Sequence, residues 1–168
     1  KQPTLLSIQS PIVVVGDLHG NFLDLLTILK NNGAPPWTRY LFLGDLIDRG
    51  EFSTETIIFI YLLVYNFPND VFVIRGNHEV RAMCTRFGFK DEIISKYDSK
   101  DLFNTFIATF DQTPFGALID TRILCMHGGL GPHVKTLRSI AKTKRPLTKI
   151  SKKYASYDLL WSDPYENA

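Results

Sequence analysis

Four short apolar runs punctuate the chain: Ile12–Val15, Tyr40–Leu43, Val71–Ile74 and Arg122–Met126. Each has strand length, is rich in Val, Ile, Leu or aromatic side chains, and is followed closely by Gly, Asp, Asn or His. That pattern predicts buried strands ending in polar turns. Between the first two lies "NFLDLLTILKNNG", where Phe22, Leu25, Leu26 and Leu29 share one helical face and Asn31, Asn32 and Gly33 supply a stop. Between the second and third, a helix is predicted from Ser53, as its N-cap, to about Tyr65. It is apolar nearly all round, as for a helix packed between layers, and "NFPND" ends it. Residues 86–111 read as mostly helical. Residues 131–157, rich in Lys, Ser and Thr and weak in periodicity, read as loop with short helix.

Strand, helix, strand, helix, strand at about 30 residues per unit predicts βαβ crossovers, and so an α/β fold with a largely parallel sheet and flanking helices. Right-handed crossovers place the carboxyl-terminal strand tips along one edge, where ligand crevices of open α/β sheets form. The tips carry polar residues: Asp17 and His19, then Asp45, Asp48 and Arg49, then Asn77 and His78, and finally His127 in "CMHGGLGP". Carboxylates, an amide oxygen and imidazoles together suit divalent Mn, Fe or Zn, and the lack of thiolate argues against a structural zinc site. Asp45, on the middle tip, is placed to bridge two ions about 3.5–4 Å apart.

Composition narrows the setting. At 168 residues and 45% hydrophobic, the chain suffices for one domain with one core. The net charge of +2 gives no strong pull toward nucleic acid or membrane, but it is unevenly placed. Residues 135–153 hold eight of the 19 Lys and Arg and no acid, which leaves 11 bases against 17 acids elsewhere. This basic segment is either a solvated face or mobile loop, or a dock for an acidic or phosphorylated partner. Cys84 and Cys125 lack CxxC spacing and read as small buried hydrophobes. The longest apolar run, Ile57 to Tyr65, is short of the roughly 20 residues of a membrane helix, and the amino end lacks a signal-peptide pattern. Cytosol or nucleus is the expected location.

"GDLHG", "GDLIDRG", "GNHE" and "HGGLGP" occur in that order, each after a predicted strand. In these motifs the chain resembles the calcineurin-like metallophosphoesterases, and specifically their serine/threonine phosphoprotein phosphatase branch. The likeness extends to "QPTLLSIQSPIVVVGDLHGN", "FGFKDE", "PFGALID" and "DLLWSDP", and so covers nearly the whole chain. It implies two divalent metal ions: Asp17 and His19 on the first, Asp45 bridging, Asn77 and His127 on the second. It also implies that Arg49 grips the phosphate, with Asn77 beside it. His78 would protonate the leaving serine or threonine oxygen, with Asp48 orienting it. The implied reaction is direct in-line attack by a metal-bridging hydroxide with no phosphoenzyme, on phosphoprotein substrates and with regulatory subunits as further partners.

In the resembled family another metal-binding histidine and a second phosphate-binding arginine lie beyond the WSDP phrase, whereas here four residues follow Pro164. Residues 1–168 are therefore expected to be part of a longer catalytic domain that lacks its carboxyl-terminal portion. His133 is expected to be a surface histidine and not a substitute ligand. Two alternatives stay open: a phosphodiesterase or dinucleoside polyphosphatase of the same superfamily, against which "DLLWSDP" speaks, and a non-catalytic phosphatase-like binding module.

Overall fold

Alternate residues of the short strands serve two different cores, because successive side chains on a strand point to opposite faces. The computed structural model describes residues 2–164. In β2 (Val13–Val15), β3 (Tyr40–Phe42) and β4 (Val71–Val73), residues Val15, Tyr40, Phe42, Val71 and Val73 pack against helices. Leu41 and Phe72 turn the other way, and with Ile74 meet Leu6, Ile8, Ala117 and Ile119 of a second sheet. That sheet contains β1 (Leu5–Ile8), β5 (Gly116–Ile119) and β6 (Ile123–Cys125).

The first sheet, in order β2-β3-β4, is wholly parallel, as the βαβ reading predicts. The run Arg122–Met126, expected in the same sheet, instead belongs to the second, of order β1-β5-β6. There β1 and β5 are parallel, and β6 pairs antiparallel with β5. The cause is local: Asp120 (φ 49°) and Thr121 (φ 56°) both take the left-handed conformation that folds one strand back beside the last.

Helices cover both outer faces. The first sheet carries α1 (Phe22–Asn32), α2 (Ser53–Asn66), α3 (Arg81–Arg86), α4 (Phe89–Tyr97) and α5 (Lys100–Phe110), joined through Leu25, Ile57, Ile60, Cys84, Ile93 and Phe106. The second carries α6 (Leu137–Ala141) and α7 (Ala155–Trp161), whose Ile140, Leu159 and Leu160 close over Phe115, Leu5 and Leu124. Asn21 caps α1 by accepting the Asp24 N–H at 3.1 Å, and Gly33 (φ 93°) ends it, close to expectation.

Ser53 differs from expectation: it is the first residue of α2, Phe52 holds the cap position, and neither side chain satisfies the exposed N–H groups. Glu92 of α4 does so across space, its Oε2 accepting Ser53 N at 3.1 Å and its Oε1 accepting Thr54 N at 2.7 Å. The helical stretch 86–111 resolves into the end of α3, α4 and α5, broken at Gly88 (φ 116°) and Asp98 (φ 47°).

Candidate metal centre

Gly44 and Gly76 let the tips of β3 and β4 touch. Gly44 sits at φ +98°, and a Cβ added to it would lie 2.2 Å from Gly76 N; one added to Gly76 would lie 2.2 Å from Asp45 N. No larger residue fits either place. The side chain of Glu79, buried to 3% exposure, then ties the two turns together. Its Oε2 accepts Asp45 N at 2.8 Å and Gly76 N at 2.9 Å, and its Oε1 accepts Leu46 N at 2.9 Å. Burial, and next the charge of Asp45, raise the Glu79 pKa, while these three N–H donors pull it down. The β2 tip joins by Leu18 N and His19 N donating to Asp45 O, at 3.0 and 2.9 Å.

These turns bring the side chains after three parallel strands into one pocket, and His127 enters it from the end of β6 in the other sheet. The pocket, about 510 Å³, is lined by Asp17, His19, Asp45, Arg49, Asn77, His78 and His127, with Trp161 and Asp163 at its wall. His19 Nδ1 lies 2.9 Å from Ile47 O, and His127 Nδ1 lies 3.1 Å from Leu43 O. A carbonyl only accepts, so both Nδ1 atoms carry a hydrogen, and each Nε2 is the nitrogen turned inward and left to ligate. They face carboxylates: His19 Nε2 is 3.7 Å from Asp17 Oδ2 and 3.6 Å from Asp45 Oδ2, and His127 Nε2 is 3.4 Å from Asp45 Oδ1. A cation set between these nitrogens and carboxylates would be bound by both.

Asn77 Oδ1 is buried and has no hydrogen-bond partner among the described residues. A buried amide oxygen without a donor costs about 1–3 kcal/mol, and coordination to a cation relieves that cost. Asp17, Asp45 and His127 form one group whose potential ligand atoms all lie within 4.8 Å; His19, Asp45 and His78 form another. Asp45 belongs to both, so the donor set and the orphaned amide fit two ions sharing one carboxylate.

His78 belongs to the second group by distance, but its Nδ1 is already held by a buried carboxylate. Its Nδ1 lies 2.8 Å from Asp48 Oδ2, and its Nε2 lies 3.2 Å from Arg49 Nη2 and 4.0 Å from Asp45 Oδ2. Its backbone N–H donates to Asp45 Oδ1 at 2.8 Å. Burial alone would lower the His78 pKa, but the Asp48 hydrogen bond and the charges of Asp45 and Asp48 outweigh it and the net shift is upward. Asp48 is fully buried and fixed from below, where its Oδ1 accepts Phe89 N at 3.0 Å. Arg49 is exposed at the rim.

Four non-glycine residues here adopt positive φ: His19 (44°), Asp45 (49°), Asp48 (69°) and Arg49 (69°). Such strain costs about 1–2 kcal/mol per residue and collects at functional sites.

His133 does not reach the pocket. Its backbone N–H donates to Asp158 Oδ2 at 2.8 Å and its Nδ1 lies 3.1 Å from the same oxygen, with the side chain 38% exposed. Asp158 stands on α7, which also receives the "HGGL" turn: Gly128 N donates to Leu159 O at 2.7 Å. "DLLWSDP" therefore braces the loop that carries His127.

Two further residues carry no assignment from sequence reasoning. One is Glu79, inside the quoted "GNHE". The other is Arg75, almost fully buried, which donates from Nη2 to Asp111 Oδ1 at 2.8 Å and from Nε and Nη2 to Glu79 O. The signal available in the sequence was a pair of charged residues flanking Gly76, Asn77 and His78.

Known proteins resemble this chain in sequence and fold. The chain is 46% identical over 163 residues to a PP2A-like serine/threonine-protein phosphatase of Candida albicans, spanning 96% of this chain and 39% of the relative. It is 43% identical over 163 residues to serine/threonine-protein phosphatase PP1-delta of Caenorhabditis elegans, spanning 97% and 53%. A solved protein serine/threonine phosphatase of Saccharomyces cerevisiae superposes with a TM-score of 0.92 at 36% identity, over 98% of this chain and 54% of that one. The chain thus spans about half, or less, of the length of these relatives. Residues 10–168 match the sequence model of the calcineurin-like phosphoesterases, and the chain belongs to that family.

Proposed function

We propose that this chain forms the metal-bearing part of a catalytic domain that hydrolyses phosphoserine and phosphothreonine in proteins. The observation that carries the reading is the meeting, in one pocket, of two inward imidazole Nε2 atoms, an unpartnered amide oxygen and a shared carboxylate, with an arginine and a carboxylate-bound histidine at its edge. Asp17, His19 and Asp45 would hold one ion, and Asp45, Asn77 and His127 the other. When bound, a pair of Mn, Fe or Zn ions supplies positive charge to phosphoryl oxygens and lowers the pKa of water.

The chain's own residues divide the rest of the work. Arg49, exposed at the rim, presents a planar fork that takes two phosphate oxygens at once, with Asn77 beside it. His78 holds the proton for the departing serine or threonine oxygen. Asp48 fixes the ring and favours its protonated form. Asp45 accepts the His78 backbone N–H, so the acid and the shared ligand keep a constant separation. Because the relatives are named for serine/threonine phosphatases, phosphoproteins are the proposed substrates, and regulatory subunits are proposed partners.

The test is Mn²⁺-stimulated phosphate release from a phosphoserine peptide and from diadenosine tetraphosphate, alongside calorimetric Mn²⁺ binding. Preference for the peptide, with both binding and turnover lost in Asp45→Asn, supports the proposal. Preference for the dinucleotide reassigns the substrate. Binding without phosphate release from either, in a protein that also carries the remainder of the catalytic domain, points to a non-catalytic module.

A further inference from the structure

The basic segment 135–153 lies outside the metal pocket, and the site leaves it unexplained. It is held in place. A reciprocal cap between Thr136 and Ser139 opens α6, Ile140 is fully buried, and Arg145 reaches Thr4 Oγ1 at 3.1 Å and the carbonyls of Gln2 and Gln112. Arg75 Nη1 donates to Leu147 O at 2.9 Å. These contacts tie the segment to β1, β4 and α5 and their flanking turns. They fix a platform on which the other seven basic residues (Lys135, Arg138, Lys142, Lys144, Lys149, Lys152 and Lys153) all stand exposed. Among the described residues none of the seven is paired with an acid.

Within the platform a groove of about 400 Å³ opens between the end of α6 and the start of α7. Leu147, Tyr154 and Ala155 give it an apolar lining, and Lys142 and Lys144 stand on its wall. Tyr154 is 64% exposed. An apolar slot edged by unpaired ammonium groups is complementary to an apolar side chain flanked by carboxylates. A nucleic-acid strand fits less well, since it wants successive free aromatic faces along a basic path. Here Tyr157 is stacked on Trp161 and lies beneath Lys152.

We infer that the groove between α6 and α7 docks an acidic segment of a protein partner, one of whose apolar side chains fills the slot while neighbouring carboxylates meet Lys142 and Lys144. Because the platform is already ordered, little chain entropy is lost on the receiving side. The groove lies at the amino end of α7 and Leu160 and Trp161, at the other end, line the metal pocket. Seven helical residues span about 10 Å, so a docked segment sits behind the pocket without entering it.

The experiment is a fluorescence-anisotropy titration of the purified chain with a labelled Glu-Asp-Glu-Leu-Asp-Glu peptide, at low and physiological salt. Saturable binding is expected, weakening as salt rises, and weaker by about tenfold for the same peptide with Gly in place of Leu. The double variant Lys142→Glu, Lys144→Glu is expected to bind about tenfold more weakly than a control carrying the same charge change away from the groove, Lys135→Glu with Lys149→Glu. All four positions are exposed, and unchanged circular dichroism and thermal midpoints separate lost docking from lost folding.

Equal loss in both double variants, or indifference to Leu, would mean diffuse attraction and overturn the groove. Tighter binding of an oligouridine probe than of the peptide, or of phosphatidylserine vesicles, would overturn the choice of partner. The readout needs no catalysis, so it stands or falls apart from the phosphatase proposal.

Discussion

His78 is fixed at two points, by Asp48 at Nδ1 and by Asp45 at its backbone N–H, and its Nε2 faces the pocket beside Arg49. A histidine that served only packing would not need a buried carboxylate on one nitrogen and a cavity on the other. In the proposed reaction its proton matters in proportion to the basicity of the departing oxygen. His78→Asn is therefore expected to lower turnover of a phosphoserine peptide by about 10²–10⁴-fold, and of an aryl phosphate such as p-nitrophenyl phosphate far less. Steady-state kinetics on the two substrates decide it, and equal losses would remove the acid role.

The residues that line the pocket were legible because Asp, Asn and His recur at successive strand tips. Glu79 and Arg75 were not legible. Apart from Asp111, 36 residues from Arg75, their partners are backbone N–H and C=O groups, and neither kind of partner leaves a spacing in the sequence.

Among the elements, α2 and α4 show how the strained Asp48-Arg49 turn is held. The turn leads into α2, whose first N–H groups depend on Glu92, and α4 also sends Phe89 N to Asp48. Lys96 completes the cluster, reaching Glu92 at 2.9 Å and Glu55 at 2.7 Å. Burial by itself would raise the Glu92 pKa, but the hydrogen bonds from Thr54 and Lys96 outweigh it and leave it below its ordinary 4.5. A carboxylate depressed on folding stabilises the protein fully above its unfolded pKa. That contribution is lost as pH falls through the lower folded value. Glu92→Ala should thus cost about 1–3 kcal/mol near neutral pH, and urea titrations should show the gap to the unaltered protein closing below pH 4.5. A gap independent of pH would mean that lost packing, not the charge, sets the cost.

The same cluster explains an expectation that the structure corrects. Ser53 has the residue type of a cap, yet the cap comes from 39 residues away, which local sequence cannot reveal. Strands β1 and β5 went unread for a related reason: "LLSI" and "GALI" are four residues each and become strands by pairing with one another across more than 100 residues.

For the molecule as a whole, the second sheet changes what ion binding means. Asp17, Asp45 and Asn77 follow strands of one sheet, whereas His127 follows β6 of the other, behind which α7 is packed. Ions held between them would clamp the two sheets as well as neutralise converging carboxylates. Binding to the folded state alone stabilises it by about 2.7 kcal/mol at a hundred times Kd, or roughly 5–10 °C in a chain of this size. Mn²⁺ is therefore expected to raise the thermal midpoint by that amount. Asp45→Asn should abolish the rise without lowering the metal-free midpoint, because the amide oxygen still accepts the His78 N–H and one of the clustered charges is gone. His133→Ala is the matched control: its imidazole is turned to Asp158 and away from the pocket, so its Mn²⁺-induced increment should equal that of the unaltered chain. Scanning calorimetry of the three proteins with and without Mn²⁺ settles the point. An undiminished increment in Asp45→Asn would show that the ions bind elsewhere, and one lost in His133→Ala would place that histidine among the ligands.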